Sequence, residues 1–168
     1  DTCKSAAIIA ATNEQVRAIN FQILGKLPGP APVMSLSVDR LEFNLDKCAG
    51  LEDAMTEDFA NSLHEPNIPD HELKLKVGAI AFIMRNLSKK DKLMNNTRVE
   101  IRSITKKFVI VRHLETGRTH CIPRISFKWE IPKLGVAVLR KQFPLQLAYA
   151  MTVNKSQGQT LERVGLDL

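Results

Sequence analysis

Residues 6–11, Ala-Ala-Ile-Ile-Ala-Ala, are an unbroken apolar run succeeded at once by the polar pair Thr12-Asn13. A run so short and so uniformly apolar suits a strand buried on both faces, the situation in a parallel sheet covered by helices. The covering helix is legible in the residues beyond the run. Thr12 or Asn13 caps it, Glu14 complements the positive end of its dipole, and Val16, Ile19, Ile23 and Leu24 fall on one side at helical spacing. Gly25 through Pro32 ends it. Strand, cap and helix in this order open an α/β layer.

The pattern then weakens. Val33 to Val38 alternates like a half-exposed strand, and Glu52 to Leu63 reads as a helix, with Leu51, Met55, Phe59 and Leu63 at the required spacing. His64 to Asp70, which contains Pro66 and Pro69, reads as a rigid connection. Beyond it the period changes. Leu73, Leu75 and Val77 alternate roughly, Ala79 to Met84 is apolar, and Arg98 to Ile104 and Phe108 to Val111 alternate cleanly. Glu115-Thr116-Gly117 supplies a hairpin turn before His120 to Pro123. Short strands at this spacing predict a small β-barrel over 74–135. Leu145 to Val153 is again apolar, Asn154 to Gly158 is a polar turn, and Leu161 to Leu168 ends as a strand. The expected architecture is an α/β domain, residues 1–73 and 136–168, interrupted by a small β domain at 74–135.

Charge follows the same division. Residues 1–70 hold 5 Lys and Arg against 11 Asp and Glu, whereas residues 71–142 hold 17 against 5. A folded segment with that excess attracts polyanions and predicts nucleic-acid binding that weakens with salt, although a solvated lysine-rich face would have the same composition. No apolar run approaches the roughly 20 residues that span a bilayer, and the first residues lack a signal-peptide layout, so no membrane association is expected. The chain also begins without Met, as a piece of a longer protein would. Cys3, Cys48 and Cys121 are odd in number and far apart, which argues against a disulfide framework or a zinc site and for a reducing compartment. His64 and His71, each followed by Glu, have no evident third ligand, so no metal site is expected.

The densest chemistry lies in Thr152-Val153-Asn154-Lys155-Ser156-Gln157-Gly158-Gln159-Thr160. Hydroxyls on Thr152, Ser156 and Thr160 can donate to phosphate oxygens, Lys155 adds a point charge, and Gly158 permits close backbone approach. By composition alone this is equally a polar surface turn. The order of the residues is more specific. Thr-x-x-Lys-Ser-Gln-Gly-Gln-Thr resembles motif V of superfamily 1 helicases, especially the Pif and RecD-like group that moves 5′ to 3′ on DNA. Arg140 to Ala150 resembles the lead-in to that motif, and Ala11-Thr12-Asn13-Glu14-Gln15-Val16 with Ile19-Asn20 resembles the entry to the second RecA-like domain. Leu73 to Ala79, Met84 to Leu87 and Asn95 to Arg98 resemble the SH3-like barrel inserted in that domain, with Asn96 where relatives commonly have glycine. Asn tolerates the left-handed conformation better than most residues. The wording is nearest the transposon-associated, Helitron-like branch.

The resemblance implies the C-terminal portion of an ATP-dependent DNA helicase, using ATP and Mg²⁺ and partnered by single-stranded DNA and by a first RecA-like domain. It implies Thr152, Lys155 and Ser156 at DNA phosphates and Gln157, Gly158 and Gln159 coupling DNA to nucleotide. Arg85, Arg98 and Arg124 are candidates to guide DNA, and each is equally readable as a solvated charge. A monomer in the nucleus is implied, with the mitochondrion as the alternative. Two required features are missing. There is no G-x-x-x-x-G-K-[ST], since Gly25-Lys26 is followed by Leu27, and Asp nowhere directly precedes Glu. This chain alone is therefore expected not to hydrolyse ATP. The alternatives are a stand-alone single-stranded nucleic-acid-binding module and an inactive transposon remnant. Trp129 and Tyr149 are candidates to stack bases, against the usual place of lone aromatics in a core.

Overall fold

The computed structural model describes residues 5–44, 55–132, 134–159 and 161–167. The first apolar run becomes β1 (Ala6–Ala10), followed by α1 (Asn13–Lys26), β2 (Val33–Leu36), β3 (Val38–Phe43) and α2 (Glu57–Ser62). A β-rich stretch comes next, with β4 (Glu72–Leu75), β5 (Ile80–Ile83), β6 (Arg98–Ile104), β7 (Phe108–His113), β8 (Thr119–Pro123), β9 (Ile125–Ile131) and β10 (Val136–Gln142). The chain ends through β11 (Leu145–Leu147), β12 (Ala150–Thr152), α3 (Val153–Ser156) and β13 (Arg163–Asp167). Of the expected helix over 52–63 only Glu57–Ser62 is observed, as α2; it starts after Thr56, whose hydroxyl caps it, and 52–54 lie outside the described residues.

β1 is the middle strand of a parallel sheet ordered β12-β1-β13. Its register places Ala10 beside both Thr152 and Asp167, so all three strands deliver their carboxyl ends to one edge. The helix that packs on this sheet is capped by Thr12, whose Oγ1 accepts from Gln15 N at 3.2 Å while Gln15 Oε1 accepts from Thr12 N at 3.0 Å. This reciprocal box satisfies two donors that a helix start otherwise leaves open. Val16, Asn20 and Leu24 form the buried side of α1. Asn20 is the polar member, and it is fully engaged. Its Oδ1 accepts from Tyr149 N and Ala150 N, both at 2.9 Å, and its Nδ2 donates to Ala150 O at 3.0 Å. The helix is thereby held in register with the strand that leads into α3.

Four strands of the basic middle, β5 to β8, join β11 from beyond it in an antiparallel five-stranded sheet ordered β11-β5-β6-β7-β8, with a register shift between Ile101 and Ser103. The expected barrel does not close. After β8 the chain passes through Arg124 into β9, which leaves this sheet and pairs with β10 in a second sheet ordered β3-β10-β9. The hairpin between β7 and β8 turns at Gly117, φ +69°, and His113 Nδ1 accepts from the amides of Glu115 and Thr116. One hydrophobic cluster joins Ala7, Leu24 and Met151 of the α/β part to Phe82, Val99, Val109 and Phe143 of the β part.

The expected strand at 33–38 is split, because β2 pairs with β4 and β3 pairs with β10. Its faces are also inverted: Ser35, Ser37 and Asp39 are buried, while Met34, Leu36 and Val38 are half exposed. The buried polar groups are compensated by one another. Ser37 Oγ donates to Asp39 Oδ1 and lies 2.8 Å from His71 Nδ1, and Gln142 Nε2 donates to Ser35 O at 2.9 Å. Burying a polar row is tolerable only when every member has such a partner.

Candidate nucleic-acid interface

Two segments meet where the parallel strands end. Thr12 and Asn13 leave β1, and Thr152 leaves β12 as the N-terminal cap of the single-turn α3. Open α/β sheets bind ligands at this edge, because backbone groups and helix starts converge there while the strands themselves are saturated. Thr152 makes no side-chain capping hydrogen bond, which leaves its hydroxyl available at the edge. Ser156 is differently placed, since its Oγ donates to Val153 O at 2.7 Å within the same turn. To reach a phosphate as a donor it must give up that bond.

Lys155 points inward. Its Nζ donates to Gln146 Oε1, and burial pushes its pKa below the ordinary lysine value. It forms part of the wall of a cleft of about 530 Å³ between α1 and residues 64–74. Beyond it Gln157 is exposed, and Gly158 takes φ +78°. Gln159 Nε2 donates to Asn96 O at 3.1 Å, tying the loop to the β-rich part of the chain. Asn96 itself has φ +66°, the left-handed conformation for which glycine is the usual residue. Gly158 and Gln159 border a second cleft of about 580 Å³, whose other walls include Lys92, Thr97, Arg112 and His113. Thr160 lies outside the described residues.

The three arginines differ in kind. Arg85 is exposed, with its guanidinium 5.0 Å from the centre of the Phe127 ring. Arg98 is buried, and its Nη2 donates to the carbonyls of Ala6 at 3.0 Å and Ala148 at 3.2 Å. Burial lowers its pKa. Arg98 thus links β6 to the first strand of the parallel sheet. Arg124 donates to Leu36 O and to Ser35 Oγ and stands 4.8 Å from the Phe143 ring, so it too is held by protein groups. Tyr149 offers no clear ring face. Tyr149 is buried with its hydroxyl accepting from Ile80 N at 2.9 Å, and Trp129 carries the Arg140 guanidinium 5.4 Å from its ring. An aromatic residue that is more than half exposed is Phe21, on α1 in the lining of the first cleft. Sequence reasoning passes over it because it lies between the helical positions Val16, Ile19, Ile23 and Leu24; its offset from that stripe is the available signal.

Residues 58–104 match the family model described as the DNA helicase Pif1, 2B domain. The chain is similar to the Pif1 DNA helicases. Over 108 residues it is 34% identical to the human ATP-dependent DNA helicase PIF1, a match covering 57% of this chain and 15% of that protein. The Pif1 helicase of Candida albicans superposes on 97% of this chain and 38% of its own with a TM-score of 0.69 and 26% identity. A Bacteroides Pif1 bound to single-stranded DNA shares the fold, with a TM-score of 0.64 and 21% identity over 96% of this chain and 34% of its own. The chain spans at most 22% of the length of the first curated Pif1 relatives it matches.

Proposed function

We propose that residues 1–168 are the C-terminal portion of an ATP-dependent, 5′-to-3′ DNA helicase and carry part of its second RecA-like motor domain. On this reading residues 1–73 and 136–168 form the motor domain, and residues 74–135 form its inserted β domain of SH3-like kind. The branch is the Helitron-like, transposon-associated one, and the protein works as a monomer in the nucleus. The observation that carries the proposal is the shared edge of β1 and β12. It brings Thr12, Asn13 and Thr152 together at the start of the loop holding Lys155, Ser156, Gln157, Gly158 and Gln159.

Thr152 and Ser156 take DNA phosphates through their hydroxyls, with Lys155 supplying charge from the cleft wall. Arg85 guides the strand from the exposed side of the β domain, while Arg98 acts at one remove, by tying that domain to β1. ATP with Mg²⁺, when bound to the whole motor, supplies the free energy for movement. The fit of this chain to the nucleotide is partial. Gln157, Gly158 and Gln159 offer polar groups and an open backbone at the loop, but no residue in 1–168 supplies a phosphate-cradling Gly-Lys-Ser/Thr or an Asp-Glu pair. Those parts belong to the first RecA-like domain, the partner required for turnover.

The test is equilibrium binding of the chain to a labelled oligothymidylate, with salt varied. Binding to the single strand in preference to duplex, with log K falling linearly with log salt, is expected. Equal affinity for duplex, or no binding at low salt, would overturn the assignment.

A further inference from the structure

α1 has a second stripe besides its buried one. Asn13, Arg17 and Phe21 recur every four residues and therefore stand above one another on one face. All three line the 530 Å³ cleft, across from the proline-rich segment and β4. The stripe begins at the end of β1, next to Thr152, and runs away from that edge along the helix. Its residue types change in order from amide to guanidinium to aromatic ring. Phe21 is 54% exposed, and Lys74, which also lines the cleft, holds its Nζ 4.4 Å from the centre of the ring. The ring does not belong to either hydrophobic cluster. Ile68, Pro69 and Leu73 give the cleft an apolar floor, and Lys155 closes its end nearest the loop. The carboxylates in the wall, Glu65, Asp70 and Glu72, all lie opposite α1, and Asp70 is engaged by His64 Nδ1 at 2.7 Å.

A groove that sets cations beside an exposed aromatic ring is an arrangement that holds single strands without reading sequence, because every base has a π-face. A volume of this size admits one nucleotide unit. We propose that this cleft receives one nucleotide of single-stranded DNA, its base stacked on Phe21 and its phosphates beside Arg17 and Lys155. The site extends the strand's path from the Thr152 edge along α1, and it rests on the assignment of the chain as a single-stranded DNA motor domain.

The experiment uses the 168-residue chain and an oligodeoxynucleotide carrying 2-aminopurine at each position in turn. Wild type should quench one position strongly, and Phe21→Trp should preserve that quench. Phe21→Leu keeps apolar area but cannot stack, so it should lose the quench, and Phe21→Ala should also weaken binding roughly tenfold. Arg17→Ala should leave the quench and lower the salt slope by about one. Phe21 is exposed, so an unchanged melting temperature separates loss of stacking from loss of fold. Tight binding with no effect of Phe21→Leu or Phe21→Ala would overturn the stacking site alone. Failure of the wild type to bind any single strand would overturn the functional assignment together with it.

Discussion

Asp39 and Arg140 face each other directly across the β3–β10 pair, with Nε and Nη2 of the arginine donating to Oδ2 at 2.9 and 2.7 Å. Neither side chain reaches solvent. The remaining guanidinium hydrogens go to backbone carbonyls of Ala60, Leu63 and Pro69, so one buried charge pair organises α2 and the connection that forms the far wall of the cleft. Removing one member of a buried pair strands the other. Asp39→Ala is therefore expected to destabilise the chain by about 3–5 kcal/mol, read from urea unfolding. The double replacement Asp39→Leu with Arg140→Met should recover part of that loss. It should not recover all of it, because three carbonyls lose their donor. A double replacement no better than the single one would remove the charge pair as the cause.

The contact between Gln159 and Asn96 ends on a residue in the left-handed conformation, Asn96, and starts next to another, Gly158. Asn96→Gly preserves φ +66° and should leave stability nearly unchanged, whereas Asn96→Ala should cost about 1 kcal/mol through left-handed strain. Hydrogen exchange of residues 157–159 should speed up in the alanine variant and not in the glycine variant. Equal exchange in both would show that the loop does not rely on this bond.

Gly158 stands in open space, with nothing within 4 Å of the point a Cβ would occupy, so volume cannot be what restricts it. Its φ of +78° is the constraint. Gly158→Ala should cost ~1 kcal/mol and Gly158→Val more, since a β-branched side chain tolerates this region least. The expected functional result is weaker single-strand binding in proportion to that cost. Full binding by the valine variant would sink the loop's assigned role.

Lys155 gives a pH signature. Burial lowers its pKa, so the charged form is penalised in the folded state and the proton leaves at a pH below the ordinary lysine range. Its attraction for phosphate is present while the proton is held and disappears as pH rises through the lowered value. The fold responds with the opposite sign. The desolvation penalty is present at lower pH and is relieved over the same rise, so stability does not fall there on account of this group. Single-strand affinity should thus decline on the alkaline side in the wild type and stay level in Lys155→Arg. Parallel profiles would mean that Lys155 does not face the strand.

Local signals carried much of this protein. A short apolar run, a cap at Thr12 or Asn13 and helical spacing marked β1 and α1, because strand burial and helix capping are decided by neighbours a few residues away. Alternation marked β6 and β7, and a Glu-Thr-Gly turn marked the hairpin that joins β7 to β8. The left-handed backbone at Asn96 and Gly158 was legible for the same reason, as residue type restricts torsion directly. Which strands pair was not. Nothing in Leu145–Leu147 says that it joins β5, or that β10 lies between β3 and β9. Those choices minimise exposed apolar area over the whole chain. The direction taken by a long charged side chain was equally hidden. Lys155 bends to Gln146, Arg98 and Arg124 reach backbone carbonyls, and the 33–38 strand turns Ser35 inward to Gln142 and Ser37 inward to the buried Asp39 carboxylate. Each of these depends on where distant polar groups come to rest, and only the tertiary structure decides that, because a buried charge goes wherever its hydrogen bonds can be met.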